Sequence, residues 1–299
     1  MWIQERPASR RKSQHSLRPG HGPEEARLRS WVERLAVPRH IFANPCNNGW
    51  VREELTATLE GYGLAVSLQG RYRNVVALPR HTHGQQRLTL VAAHYDSTPD
   101  CPGADDNASG LAVMLECARV CAQTEACLPV AFIAFNAEED GLLGSQDFIM
   151  NGVPDLPHRI QSAHVLEMVG FRSAESLVQD LPFPWVPANL KVPNFIGLLA
   201  NGRSNRTMRR VLKLSGAPGL RLVGAKTWGP LYKFLPDLTR SDHFPFWQAG
   251  LPAVLWTDTG NFRNPHYHQA TDTPDTLDYS FMREVTELLS QAVLDQARA

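Results

Sequence analysis

The chain has 299 residues, 43% of them hydrophobic, with 30 Lys and Arg against 30 Asp and Glu. That balance provides no net field to draw the protein onto nucleic acid or an anionic membrane surface, and the length suits one large core. The 5 cysteines include no CxxC pair, so they read as free thiols of a reducing, cytoplasmic compartment rather than as a disulfide framework.

Residues 1–22 are basic, polar and rich in Pro and Gly, with no apolar stretch behind them. Such a composition cannot offset its own ordering entropy, and the segment reads as a disordered tail before a single domain over 23–299. No run approaches the length a membrane span needs. From Glu24 the pattern turns helical, with Leu28, Trp31, Val32 and Leu35 three and four apart, and a second helix is expected at 49–60 on Trp50, Val51, Leu55 and Leu59. The period then falls to two. Residues 65–68 and 74–78 read as an antiparallel hairpin at a sheet edge, turning at Gly70.

Uninterrupted apolar runs of strand length follow at 88–93 (LTLVAA), 130–135 (VAFIAF), 163–169 (AHVLEMV), 195–199 (FIGLL) and 252–256 (PAVLW), alternating with helical stretches such as 109–123 and 205–214. Continuous apolar strands must be covered on both faces, which predicts an α/β three-layer sandwich around a mostly parallel, mixed central sheet. The Pro-rich stretch 181–193 reads as a surface insertion between two strands.

Ligands of open α/β sheets bind at the carboxyl ends of the strands, so the residues just past each run carry the functional signal. They are His94 to Ser97 after the first run, Glu138 and Glu139 after the second, Glu167 at the end of the third, and Asn264 to His268 in the loop after the last. Between the first two runs lies GADDNASG, with Asn107 placed to cap a helix. A lone His or a Glu pair is ordinarily solvated or packed in a core, but imidazoles and carboxylates after four separate strands match what zinc accepts, and a two-metal hydrolytic site needs a carboxylate shared between the ions. Neither a nucleophile elbow, a phosphate loop, a dinucleotide fingerprint nor an HExxH helix is present. His164 and Glu167, three apart on a strand, face opposite sides, which leaves His164 to the core or to a supporting position.

In order and combination, AHYDS (93–97), GADDNASG (103–110), FNAEEDGLLGS (135–145), LEMVG (166–170), SDHFPFWQAGLPA (241–253) and NPHYHQATDTPDTLD (264–278) resemble the M28 family of zinc aminopeptidases. The resemblance runs from about residue 74 to 277. It implies a phosphorylase/hydrolase-like zinc exopeptidase fold holding two zinc ions per chain. Carried onto matching positions, it makes His94 and Glu167 ligands of one zinc, Glu139 and His268 ligands of the other, and Asp106 the bridge. Asp96 then orients His94, and Glu138 is the general base. Asp105, next to the bridge, is the residue most easily mistaken for it. His266, two before His268, is left as a supporting or substrate-contacting residue on an extended segment. Many family members have Asp where this chain has Glu167.

The implied activity is removal of amino-terminal residues from peptides, with no nucleic-acid or membrane partner. Its rivals are a glutaminyl-cyclase-like transferase, a carboxypeptidase using Arg240 or Arg263 for the substrate carboxylate, and a binding module with a dead site. Trp185, Trp228, Tyr232 and Phe234 are candidate pocket walls, with Tyr232 as a possible oxyanion donor.

Overall fold

The computed structural model describes residues 2–5, 21–81, 86–124, 128–173, 179–180, 188–214, 219–228 and 234–298. Nine strands form one sheet: β1 (Trp2–Glu5), β2 (Leu64–Gln69), β3 (Asn74–Pro79), β4 (Leu88–His94), β5 (Val130–Phe135), β6 (Ile160–Glu167), β7 (Phe195–Ala200), β8 (Arg221–Lys226) and β9 (Ala253–Thr257). Their spatial order is β1-β8-β7-β9-β6-β4-β5-β3-β2. The centre, β5-β4-β6-β9, is parallel throughout, as is the β7–β8 pair; β2, β3, β1 and the β7–β9 junction are antiparallel. The hairpin read at 65–78 is therefore present, at one edge.

Both faces of the centre are covered, which is why its strands read as continuous apolar runs; every residue of β4 and of β5 is buried. On one face lie α1 (Glu25–Leu35), α3 (Gly110–Thr124) and α7 (Tyr279–Ala297), packed around Leu28, Leu111, Leu115, Phe281 and Leu289. Also in this layer, α2 (Pro45–Gly61) and α5 (Asn205–Lys213) present Val51, Leu55, Met208 and Val211 to the same core. The opposite face carries α4 (Leu143–Asp147) and α6 (His243–Gln248), with Phe135, Phe148 and Phe246 packed ring against ring at centroid separations of 5.6 to 6.3 Å. Among the described residues no helix is long and apolar enough to cross a membrane.

The composition-based tail needs correcting at one end. Trp2–Glu5 pairs antiparallel with β8, and the Glu5 carboxylate binds the Arg221 guanidinium and the Asn189 amide, so backbone pairing and a charged anchor offset the ordering entropy that composition alone leaves uncompensated. Residues 6–20 lie outside the described residues, as do 181–187 of the Pro-rich stretch, Trp185, Tyr232 and Cys127. Cys46, Cys101, Cys117 and Cys121 are free.

Candidate metal centre

The four parallel central strands run the same way, so their carboxyl ends share one rim. The chain passes from β4 to β5 on one side and returns to β6 on the other, which opens a crevice above β4. His94 is the last residue of β4, Glu138 and Glu139 follow β5, and Glu167 closes β6. The turn carrying His268 reaches the same rim from the loop after β9.

Asp106 comes from the loop ahead of α3, where its carboxylate lies between the two imidazoles. Oδ1 is 3.2 Å from His94 Nε2, and Oδ2 is 3.2 Å from His268 Nε2. Each ring also faces one further carboxylate, Glu167 Oε2 at 3.4 Å from His94 Nε2 and Glu139 Oε2 at 3.1 Å from His268 Nε2. The five residues proposed as ligands are thus gathered at one place. Ligand-capable atoms of His94, Asp106 and Glu139, and of His94, Glu138 and Glu167, lie within 4.8 Å of one another, so Glu138 stands beside the ligand set as well.

The donor set fits divalent cations. His94 is 1% exposed, yet among the described residues neither ring nitrogen makes a geometrically sound hydrogen bond, and Oε1 of Glu139 is also buried without a partner there. Buried polar atoms are almost always satisfied, and a cation among these groups would satisfy them. Charge leads to the same conclusion. Burial pushes the Glu138 carboxyl well above its ordinary value, helped by Glu167 and Glu139 and opposed by His94, and burial lifts Glu139 to about 7. Burial also acts on Asp106, but the two histidines outweigh it and hold that carboxyl below its ordinary range. Burial would lower both histidines, yet the surrounding carboxylates win, raising His94 well above the usual imidazole value and His268 to about 10. The cluster has more negative charge than two imidazoles neutralise comfortably.

Supporting groups hold this arrangement. Asp96 lies 3.5 Å from His94 Nδ1 and accepts the backbone amides of Glu138 and Glu139. Asn107 Oδ1 accepts the Gly110 amide at 3.1 Å, the capping role read from sequence, and its Nδ2 donates to Leu166 O. Left-handed backbone occurs at Ala137 (φ 56°), Met168 (φ 48°) and His268 (φ 57°), each at or next to a site residue, as strained positions tend to be.

Asp105, the alternative bridge, turns away from the centre. Its carboxylate accepts the Gly170 amide and the Asn264 side chain and lies against Asp258, tying three loops together. The segment carrying His266 and His268 is a turn rather than an extended stretch, because Asn264 Oδ1 captures the His266 amide. His266 therefore points elsewhere, bonding Thr271 Oγ1 at 2.9 Å and meeting Phe171 edge-on. His164 is a core residue: Nδ1 accepts from Trp256 Nε1, and the remaining nitrogen bonds Gln296. Arg263 is buried among Gln179, Phe171 O and Phe195 O, which leaves it no free face for substrate.

Three contributors had no role assigned from sequence. Asp272 accepts the amides of Asp105 and Asp106 at 2.9 and 3.1 Å, fixing the loop that presents the central carboxylate. Arg39, fully buried, donates to Tyr95 O, Pro102 O and Gly103 O and so clamps the segments behind His94 and Asp106. Asp242 is buried near His94, Glu167 and Ser145, and burial pushes it up to about 7. Asp242 and Asp272 stand in the SDHFPF and HQATD stretches already singled out; Arg39 follows a helix end and carries no motif.

A cavity of about 900 Å³ opens from Asp106, Glu138 and His268 along the outer half of the sheet, walled by Met168, Leu142, Phe244 and Leu198 and reaching Ile3 of β1.

Comparison with known proteins gives this geometry its context. Residues 74–293 match peptidase family M28. The chain is 31% identical to the Escherichia coli protein YfbL over 73% of its own length and 69% of that protein's, and 30% identical to aminopeptidase YwaD of Bacillus subtilis over 71% of its own length but only 41% of that relative's. Among solved structures it resembles Legionella pneumophila LapA aminopeptidase at TM-score 0.69 and 16% identity, covering 93% of this chain and 70% of that one. It also resembles Porphyromonas gingivalis glutaminyl cyclase at TM-score 0.65 and 19% identity, covering 92% of this chain and 99% of that one. Those two likenesses speak to the fold, which is α/β as the apolar runs required. The match over most of the chain shows that it belongs to peptidase family M28.

Proposed function

We propose that this member of peptidase family M28 is a zinc aminopeptidase that removes residues from the amino ends of peptides. The observation that carries the reading is the Asp106 carboxylate, with one oxygen toward His94 and the other toward His268, each imidazole backed by a further carboxylate. That pattern suits two ions sharing a bridge, with His94 and Glu167 holding one and His268 and Glu139 the other. Two zinc ions supply Lewis acidity, lowering the pKa of a water and polarising a carbonyl.

The chain's own residues do the rest. Asp96 keeps the His94 ring in position through Nδ1 and keeps the Glu138–Glu139 backbone in register with it. Glu138, at the crevice wall, takes a proton from the attacking water on its carboxylate and returns it to the leaving amine nitrogen. The carboxylates of Glu138 and Glu167 accept the substrate's free α-ammonium group, which confines cleavage to the chain end. Ser241 Oγ donates to Glu167 Oε2 at 2.8 Å and steadies that longer side chain. The apolar walls of the cavity take the side chain of the first residue and exclude water around it.

The test is hydrolysis of a panel of aminoacyl anilides and free-amine peptides by purified protein, alongside elemental analysis, with an amino-terminal glutaminyl peptide included. Release of the first amino acid, abolished by blocking the α-amine, supports the proposal. Release of ammonia from the glutaminyl peptide without peptide cleavage would replace it with the cyclase reaction.

A further inference from the structure

The cavity beside the metal centre has opposite charges at two places. Its inner end carries Glu138, Glu139 and Glu167; among the described lining residues Arg240 is the one Lys or Arg. Arg240 immediately precedes Ser241, which binds Glu167, and its Nη2 donates to the Tyr267 hydroxyl at 2.8 Å. The Tyr267 ring lies on the His268 imidazole, with centroids 3.8 Å apart and planes 19° from parallel. The guanidinium carbon stands 5.7 Å from that tyrosine ring. It therefore stands within about three residue lengths of His268, taking roughly 3.5 Å per extended residue.

Its present acidic partner is weak. Asp237 lies 3.4 Å away, the two side chains are 35% and 44% exposed, and pairs of that kind contribute little and exchange readily. Asn261 Oδ1, at 3.2 Å, is neutral. The planar fork matches a carboxylate, which can be bound through two parallel N–H donors.

We infer that Arg240 recognises the free carboxyl terminus of a peptide two or three residues long, so that short peptides with an intact carboxylate are the favoured substrates. This rests on the aminopeptidase reading, and it names the far end of the substrate whose amine that reading places among the carboxylates. A zwitterion one or two residues beyond the cleaved bond matches the acidic inner end and the cationic mouth together. Arg240 contacts substrate without taking part in the chemistry, so its effect belongs to the contrast between a free acid and its amide.

The experiment compares kcat/KM for Leu-Gly and Leu-Gly-Gly with their carboxyamides, and uses leucyl anilide as a substrate without a carboxylate, in wild type, Arg240→Met and Arg240→Lys. Wild type should prefer each acid over its amide by at least about tenfold. Arg240→Met should bring that ratio close to one, and Arg240→Lys should keep part of it. Because each ratio is taken within one variant, a general loss of activity or stability cancels. An acid-to-amide ratio near one in wild type, or a ratio unchanged in Arg240→Met, overturns the inference while leaving the peptidase reading standing. Failure of wild type to cleave any of these substrates, the anilide included, overturns both.

Discussion

Asp96 holds the backbone of Glu138 in place: Oδ1 accepts the Glu138 amide at 3.2 Å, and Oδ2 accepts the next amide, that of Glu139, at 3.1 Å. The same carboxylate faces His94 Nδ1. One fully buried carboxylate on the segment after β4 therefore faces the imidazole and anchors the backbone of both glutamates, which diverge from that common anchor.

On the proposed mechanism, this divergence gives proton transfer to Glu138 and metal holding to Glu139. Glu138→Gln keeps size and hydrogen-bonding capacity but cannot take a proton, and loss of general-base help costs about 10² to 10⁴ in rate. We expect kcat on an aminoacyl anilide to fall by that order while zinc content stays near wild type, and Glu139→Gln to lose both. Near-normal turnover in Glu138→Gln would remove Glu138 from the role of base.

Asp106→Asn replaces the carboxylate shared by the two histidines with a neutral amide. Zinc per chain, measured by elemental analysis after dialysis, should drop well below two, with Asp105→Asn retaining far more. Two tightly held ions in Asp106→Asn would mean that the bridge is elsewhere.

The turn at 265–268 separates its two histidines. His268→Ala should lose metal and activity together. His266→Ala, which gives up the Thr271 hydrogen bond, should keep most of its zinc. The opposite pattern would reverse the ligand assignment.

His164 predicts a pH effect unrelated to catalysis. Burial lowers its pKa from 6.5 to about 4. Between those values the unfolded chain takes up a proton that the folded chain refuses, so this contribution to stability is complete above pH 6.5 and is lost as the pH falls toward 4. At pH 5 the loss is about 2 kcal/mol by linkage. Denaturant unfolding at pH 7 and pH 5 should show wild type losing about that much more than His164→Gln, whose amide oxygen can still accept the Trp256 N–H. Equal losses in the two proteins would show that His164 titrates normally.

Much of this was legible in the sequence because both signals were local. The apolar runs at 88–93 and 130–135 became β4 and β5 almost residue for residue, and the polar residues after them landed on one rim because parallel neighbours share a direction. β8 escaped notice because Arg221 and Lys226 bracket a short apolar stretch with a glycine, Leu222–Ala225, and β1 because its pairing partner lies more than 200 residues away. Asp272 and Arg39 were illegible for a related reason. Each acts on backbone groups brought close only by folding, so nothing in its own neighbourhood of the sequence announces the role.

The shared rim also sets a time. Positions 94, 106, 139 and 167 lie in the first two thirds of the chain, but His268 arrives only with the turn after β9, and β9 itself must first slot between β6 and β7. A nascent chain that has not reached this turn lacks one of the five donors, the second imidazole. The proposed two-metal donor set is therefore complete only once β9 has taken its place between β6 and β7, late in the synthesis of the chain.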